Sequence, residues 1–393
     1  MTHDALLVLV AGALLGAGVV ASLVAARLRL PALVLFLGVG MAIGTDGLGW
    51  IDFDDYSLAR LIGSVALVLI LFEGGLASGF GEIRPVLRPA IALATLGTFL
   101  TALIAGATAH ALLDFSFKES LLLGAVLSGT DGAAVFALLR GARLPRRIAS
   151  MLEGEAGLND PIAVLLVLAM IKLITTPTYG AGDVLVFFVQ ELALGVVGGL
   201  VVGVIGALAV QRIDPEQPGL RLVATFATAA VAFGATGAVH GSGFLAAYLA
   251  GLVVGSFDIP DRGSVLAFHE GLAAVAEIGM FFALGLLVFP SQLGGVLVEG
   301  TLLALVVAFV ARPLAAAVAT AFERLRGGER VLIGWAGLRG AVPVVLATFP
   351  IIEGVRDSVE FFNIVFFAVL VSTLIQGTTV VPLARRLGLT AAR

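Results

Sequence analysis

Side chains that could bind a cation or a proton are concentrated between residues 128 and 160. The motif SGTDGAAVF contains Thr130 and Asp131, and the motif EGEAGLND contains Glu155, Asn159 and Asp160. Both motifs interrupt stretches that are otherwise apolar. Because an ionisable side chain at bilayer depth is costly, its default interpretation is a transport or proton-handling site. Carboxylate and carbonyl oxygens are hard ligands, which suit an alkali cation rather than a soft metal.

The composition indicates what kind of chain carries these motifs. Of its 393 residues, 60% are hydrophobic and 13% are charged, whereas a soluble domain carries about 25% charged residues. The mean hydropathy is +1.11. We therefore predict an all-α polytopic membrane protein, a single transporter unit over 1–393 with no soluble regulatory domain in this chain.

The remaining composition argues against several classes of function. The net charge is −4 and no basic patch with interleaved aromatic residues occurs, so nucleic acid is not an expected partner. There is no cysteine, and the four histidines are scattered without the spacing of a metal pair. We therefore expect no cofactor and no metal beyond a transported alkali cation.

Apolar runs of about 20 residues, the length that crosses a bilayer, recur from end to end. They predict thirteen transmembrane helices at about 5–26, 32–48, 58–77, 87–112, 119–139, 148–174, 182–211, 220–237, 241–256, 264–289, 294–321, 329–349 and 358–387. With the N-terminus outside, the loops on the cytoplasmic side and the C-terminus hold 17 of the 23 Lys and Arg residues. Short loops rich in Lys and Arg stay cytoplasmic. We therefore expect a cell-membrane protein with an outer N-terminus and a cytoplasmic C-terminus.

Thirteen helices divide as six, one and six, which predicts two inverted six-helix repeats joined by a connecting helix. The fifth helix of each half carries a glycine-flanked polar interruption, SGTDGA in one and AGLRGAVP in the other. Interrupted helices at matching positions indicate the binding site of a transporter. The sequence therefore predicts two unwound helices that meet near the middle of the membrane.

Three acids are expected near the midplane. Asp131 and Asp160 each lie about 12 residues, or about 18 Å, into their helices, so the two carboxylates can meet at one depth. Glu73 lies about 15 residues into the third helix, at about 1.5 Å per residue, where it either lines the ion path or packs at a glycine-rich crossing. Capping of the helix break is an alternative role for Asp131, and an interhelical hydrogen bond is one for Asp160.

Arg339 lies inside the twelfth predicted helix and needs a partner for its charge. Glu155 is the nearest candidate by depth and repeat position, so we predict a structural ion pair between them. Removing one member of such a buried pair typically costs about 3–5 kcal/mol. Glu277 and Arg312 are further intramembrane charges, which either pair with each other or serve the ion path.

At LFEGG, SGTDGAAVF, EGEAGLNDPIAV and GWAGLRGAVP, the chain resembles the cation:proton antiporter superfamily. It is most similar to the bacterial NhaP branch, including the cell-volume-regulation type. By position, the resemblance implies that Asp160 binds the ion and that Asn159 marks the electroneutral branch. It also implies that Thr130 and Asp131 belong to the unwound helix and that Glu73 is the acid of the third helix.

The resemblance implies the Glu155–Arg339 ion pair as well, together with a division of the chain. A core that carries the ion would move in an elevator-like manner against a dimerisation domain of a homodimer. The expected ranges are about 1–80 and 220–290 for the dimerisation domain, 87–175 and 294–388 for the core, and 182–211 for the linker helix. Members of the cell-volume type often carry a cytosolic regulatory domain after the last helix, whereas this chain stops at Arg393.

Two positions depart from the family pattern. Many sodium-selective relatives have Ser where this chain has Ala156, and that hydroxyl helps to ligate the ion. Its absence favours potassium over sodium. Relatives commonly have Pro or Ala after the Thr-Asp pair, where this chain has Gly132.

The sequence therefore predicts a secondary active transporter and not an enzyme. Its expected activity is electroneutral 1:1 exchange of K+ or Na+ for a proton, with the two ions competing for Asp160. The alternative is a sodium-coupled symporter of an organic anion, which would need a roomier and more polar cavity. An intramembrane protease using Asp131 and Asp160 is disfavoured because its Gly-x-Gly-Asp signature is absent, and a passive channel because nothing resembles a selectivity-filter loop.

Overall fold

The structure, a computed structural model, describes residues 2–28, 30–131, 144–214 and 216–390, apart from the side chains of residues 2, 3 and 7. Within these ranges the regular structure is entirely helical and contains no strand. Helices are the expected form for such apolar runs, because a helix satisfies its own backbone groups where lipid cannot. The predicted all-α class is confirmed.

The described residues form seventeen α-helices, several of which follow one another with only a turn between them. They are α1 (Thr2–Leu28), α2 (Ala32–Ile43), α3 (Tyr56–Ile83), α4 (Leu87–Ala92), α5 (Thr98–Leu112), α6 (Phe117–Val126), α7 (Arg146–Thr175), α8 (Ala181–Arg212), α9 (Pro218–Ala238), α10 (Gly243–Ser256), α11 (Arg262–Leu286), α12 (Pro290–Leu293), α13 (Leu297–Val306), α14 (Arg312–Ala319), α15 (Gly327–Trp335), α16 (Ala341–Ile352) and α17 (Ser358–Arg386).

Each of the thirteen predicted segments contains helix in the structure, and the two with glycine-flanked polar interruptions are not continuous helices. The segment at 119–139 is helical only to Val126 as far as it is described, and its part from 132 onward lies outside the described residues. The segment at 329–349 is divided into α15 and α16. Among the described residues, eight helical stretches are long and apolar enough to cross a membrane, and α2, α10 and α16 are shorter apolar helices. The count of thirteen crossings and the inverted repeat stay predictions.

The non-helical residues that follow α6 lie against those that separate α15 from α16. We call residues 127–131 the first break and residues 336–340 the second break. The backbone N–H of Asp131 donates to the carbonyl of Leu338 at 2.8 Å. In return, the N–H of Ala341 donates to the Asp131 carboxylate at 3.3 Å. The two breaks therefore share their hydrogen bonds.

Two pairs of consecutive helices carry matching irregularities. A π-helical turn, Leu93–Gly97, joins α4 to α5, and a second, Val307–Ala311, joins α13 to α14. A 3-10 turn precedes each of these helix pairs, at Arg84–Val86 and Gly294–Val296. Such π-turns often occur at functional sites. The residues directly after the two π-turns both belong to the site described below.

Glycines permit the close crossing of α3 with α10. A Cβ added at Gly251 would overlap the backbone carbonyl of Phe72. Because the obstacle is backbone and not the end of a flexible side chain, the two helices would have to separate. Small residues permit this kind of close approach between membrane helices.

Replacing Gly251 by Ala should therefore destabilise the fold by about 1–3 kcal/mol, the usual cost of overpacking. The measurement is the thermal unfolding midpoint of the purified protein in detergent. Gly234→Ala on α9 is the matched control, because nothing lies within 4 Å of the added Cβ there. Equal unfolding midpoints for the two variants would contradict the close approach of α3 and α10 at Gly251.

Candidate functional site

The candidate site is built around the backbone carbonyls that the first helix break releases. Arg339 lies in the second break and is buried. Its Nη1 donates to the carbonyls of Ser128 and Gly129 at 2.8 and 2.7 Å. The carbonyl of Arg339 in turn accepts a hydrogen bond from the Thr373 hydroxyl at 2.7 Å. One guanidinium thus supplies donors to carbonyls that a continuous helix would have satisfied itself.

The predicted ion pair between Glu155 and Arg339 is wrong. Glu155 instead pairs with Arg312, with Nη1 to Oε1 at 2.5 Å and Nη2 to Oε2 at 2.7 Å, and both side chains are buried. Arg339 donates instead to the carbonyls of the first break. The prediction assumed continuous helices, in which such carbonyls would already be bonded within the helix. Arg312 follows the π-turn at Val307–Ala311 and reaches Glu155 from α14.

Asn159 connects the first break to a neighbouring helix. Its side-chain oxygen accepts a hydrogen bond from the backbone N–H of Thr130 at 3.1 Å. Its side-chain nitrogen donates to the Thr98 hydroxyl at 2.6 Å. The oxygen and the nitrogen of this fully buried amide therefore each have a partner within the protein. Sequence reasoning did not identify Thr98, whose position just after a π-turn carries no motif.

Asp160 is the next residue on α7 and differs from Asn159 in its surroundings. The side chain is buried, and its Oδ1 makes no hydrogen bond to any part of the chain that the structure describes. A buried carboxylate oxygen without a donor is costly. Its position therefore calls for a proton or a cation to complete it.

Two small cavities meet at Asp160. One is lined by Asp131 and Asp160 together with Glu277 of α11 and apolar residues of α3 and α16. The structure thus brings the two predicted aspartates to one cavity. The same cavity includes Glu277, for which the sequence left open a pair with Arg312 or a place on the ion path; Arg312 pairs with Glu155 instead.

The second cavity is lined by Ala156, Gly157 and Asp160 of α7, by residues of α3, and by Tyr248 of α10. The Tyr248 ring packs on Gly157, where an added Cβ would overlap it. The Tyr248 hydroxyl is buried and makes no hydrogen bond within the described residues. Sequence reasoning missed Tyr248, although a phenol in an apolar helix, one of only three tyrosines in the chain, was an available signal.

Glu73 lies in α3 next to Phe72 and is partly buried. It is not among the residues lining the two cavities at Asp160. The ligands gathered at Asp160 are oxygen atoms, which suit a hard monovalent cation. Within the described ranges, no group of three or more His, Cys, Asp or Glu residues could hold a resident metal ion.

Comparison with known proteins gives the site its context. A family model described as "Sodium/hydrogen exchanger, transmembrane" matches residues 10–386. The K(+)/H(+) antiporter NhaP of Alkalimonas amylolytica is 40% identical over 98% of this chain, which spans 67% of that relative's length. The Na(+)/H(+) antiporter NhaH of Halobacillus dabanensis is 27% identical over 93% of this chain and 94% of its own.

Solved structures share the fold. A sodium proton antiporter from Methanocaldococcus jannaschii, determined at pH 8, aligns with a TM-score of 0.83 at 24% identity. The alignment covers 97% of this chain and 99% of that one. The chain therefore has the antiporter's architecture across nearly its whole length.

A double-mutant cycle should distinguish the two possible partners of Glu155. Glu155→Gln and Arg312→Gln should each destabilise the protein by about 3–5 kcal/mol, because each leaves a buried charge unpaired. Their coupling energy should lie near the top of the range of about 0.5–3 kcal/mol seen for residues in contact. The measurement is denaturant unfolding in detergent micelles. The matched cycle of Glu155→Gln with Arg339→Gln should give less than half that coupling, and the reverse order would contradict the observed pairing.

Proposed function

Because the chain belongs to the sodium/hydrogen exchanger family, as its motifs predicted, we propose that it exchanges a monovalent cation for a proton across the membrane. The protein is a multi-pass membrane protein. The observation that carries the proposal is the buried, unpartnered Oδ1 of Asp160 at the junction of two cavities. A carboxylate in this position binds either a proton or a cation, and the competition couples the two fluxes.

Asp131 has a different role in this proposal. Its carboxylate accepts a hydrogen bond from the N–H of Ala341 at the start of α16, where negative charge is favoured by the helix dipole. Asp131 therefore helps to hold the break while contributing negative charge to the cavity. Thr130, whose backbone N–H is bonded to Asn159, supplies further oxygen atoms at the break, and Glu277, which lines the cavity, supplies an acid from α11.

Electroneutral exchange follows from the charges around the site. Glu155 and Arg312 neutralise each other, and the Asn159 amide carries no charge. Arg339 is opposed by carbonyl dipoles and lies in the same crossing as Asp131. In this proposal Asp131 and Glu277, which line the same cavity, keep their charge unchanged through the cycle, and Asp160 alone carries either one proton or one monovalent cation. A 1:1 exchange moves no net charge.

Alternating access is proposed to come from motion between two parts of the chain. Asp160 lies on α7 of the proposed core, and its cavities are closed by α3, α10 and α11 of the proposed dimerisation domain. Within that second part, α3 packs on α10 and α11. The contact of Tyr248 with Gly157 is then a sliding contact between the two parts. We also propose a homodimer in the cell membrane, with the N-terminus outside, the C-terminus in the cytoplasm and α8 as the linker.

An inverted repeat is part of the same proposal. The succession of 3-10 turn, α-helix, π-turn and α-helix occurs once at 84–112 and again at 294–319. Each succession precedes one of the two interrupted helices. This agreement between the halves supports the repeat. A symporter of an organic anion is less suitable, because the small cavities at Asp160 are lined mainly by apolar residues.

We expect Asp160→Asn to abolish exchange, because an amide can neither bind a proton at working pH nor supply a charged ligand. The measurement is cation-induced proton release in proteoliposomes, with size-exclusion and thermal unfolding profiles to establish folding. Asp114→Asn, at an exposed position, is the matched control and should exchange normally. Persistent exchange by folded Asp160→Asn would refute the assignment.

Potassium is the proposed preferred cation, because Ala156 lines the cavity at Asp160 and offers no hydroxyl ligand. Ala156→Ser should therefore lower the half-maximal sodium concentration relative to that of potassium by about three- to tenfold, up to about 1.4 kcal/mol. Ala169→Ser, also buried on α7 and about 20 Å away at 1.5 Å per residue, should leave the ratio unchanged. An unchanged ratio in Ala156→Ser would remove the argument for potassium.

A further inference from the structure

A second polar cleft lies away from Asp160, where the end of α7, the start of α8 and the turn before α10 meet. It is lined chiefly by Lys172, Tyr179, Asp183, Phe187, Glu191 and His240. Lys172 is in the last turn of α7 and Asp183 in the first turn of α8. Because these are the ends of helices long enough to span a bilayer, the cleft lies at the depth of lipid headgroups.

The cleft holds two basic side chains. The Lys172 ammonium lies over the ring of Phe187, 4.1 Å from its centroid, and 5.9 Å from that of Tyr179. Contacts of this kind are worth about 0.5–1 kcal/mol at exposed sites. They hold the ammonium at the cleft and also cover the aromatic faces.

His240 reaches the cleft from a turn with an unusual backbone. Its φ is 59°, in the left-handed region that non-glycine residues rarely adopt. The turn is fastened to α8 by the N–H of Ser242, which donates to the carbonyl of Glu191 at 2.9 Å. A strained residue of this kind persists only where its surroundings determine it, and such residues cluster at binding sites.

Two acids line the same cleft from α8. The Asp183 carboxylate accepts a hydrogen bond from the N–H of Gly180 at 2.8 Å, so its position is fixed at the start of the helix. Glu191 lies two turns further on and is partly buried. The cleft therefore presents both signs of charge within one small volume.

An apolar strip continues from the cleft along α8. Val186 lines the cleft itself. Between 58% and 66% of the surface is exposed in four apolar residues of α8, namely Leu185, Val186, Val189 and Val197. On a membrane helix such a surface faces acyl chains. A molecule that fills the cleft can thus extend along the helix toward the middle of the membrane.

We propose that this cleft binds phosphatidylethanolamine. Its phosphate is bound by Lys172 and His240, its ammonium by Asp183 and Glu191, and its acyl chains lie along the strip on α8. An anionic headgroup without an ammonium would bring negative charge beside the two acids and supply no cation for them. A choline headgroup has no N–H donors, and the aromatic faces that could receive it are covered by Lys172.

The test compares lipids with identical acyl chains added to the purified full chain in detergent, with thermal unfolding as the measurement. Phosphatidylethanolamine should raise the midpoint by more than phosphatidylcholine or phosphatidylglycerol does. The variant carrying Lys172→Gln and His240→Gln should bind phosphatidylethanolamine at least about tenfold more weakly, through loss of charge-assisted hydrogen bonds. Lys118→Gln is the matched control, since Lys118 donates to the Leu173 carbonyl at the same end of α7 but does not line the cleft.

A second variant keeps the proposal testable if the first does not fold. Asp183→Asn retains the cap on Gly180 but loses charge, so it should reduce the preference for phosphatidylethanolamine over phosphatidylglycerol. Equal midpoints with all three lipids, an unchanged preference in Asp183→Asn, or an equal loss in Lys118→Gln would overturn the proposal. So would the full shift with soluble glycerophosphoethanolamine, because the site would then not be one for a lipid.

Discussion

A helix that is interrupted inside a membrane leaves backbone carbonyls that no water can satisfy, and the centre of this protein depends on how they are satisfied. Arg339, in the second break, donates to the carbonyls of Ser128 and Gly129 in the first break. Asp131 returns the interaction by accepting from Ala341. Since an unsatisfied buried polar group costs several kcal/mol, neither break would be stable without the other, and the two helices must cross.

The charges follow from that constraint. Because Arg339 serves the carbonyls, Glu155 needs another cation, and Arg312 reaches it from behind a π-turn. Asn159 uses both ends of its amide within the protein. Glu155, Arg312 and Asn159 each have a charged or hydrogen-bonding partner in the protein, whereas the Oδ1 of Asp160 is buried and has no donor among the described residues. The site thus combines side chains that pair across several helices with one buried carboxylate oxygen that has no donor among the described residues.

Most helices were predictable, because their apolar length is a local property that membrane thickness imposes. The candidate aspartates were predictable for a related reason. An acid within an apolar run can be recognised from the neighbouring residues alone, whichever helices pack around it. The partner of Glu155 was not predictable, because Arg312 and Arg339 are both arginines in apolar segments. Which of them contacts Glu155 depends on the π-turn before Arg312 and on the break that contains Arg339. Thr98, Tyr248 and Glu277 join the site only through packing between helices distant in sequence.

The amino-acid sequence by itself determined that this chain is a helical membrane protein with interrupted helices and with acids at the level of the interruptions. Hydropathy and depth along a helix suffice for both, because each depends on neighbouring residues alone. Only the tertiary structure decided which arginine pairs with Glu155, which side chains close the cavities at Asp160, and that Lys172 and His240 share a cleft. Those contacts depend on how each helix is rotated about its axis, and π-turns and breaks change that rotation. A linear pattern of residues specifies neither the rotation nor the positions of these irregularities.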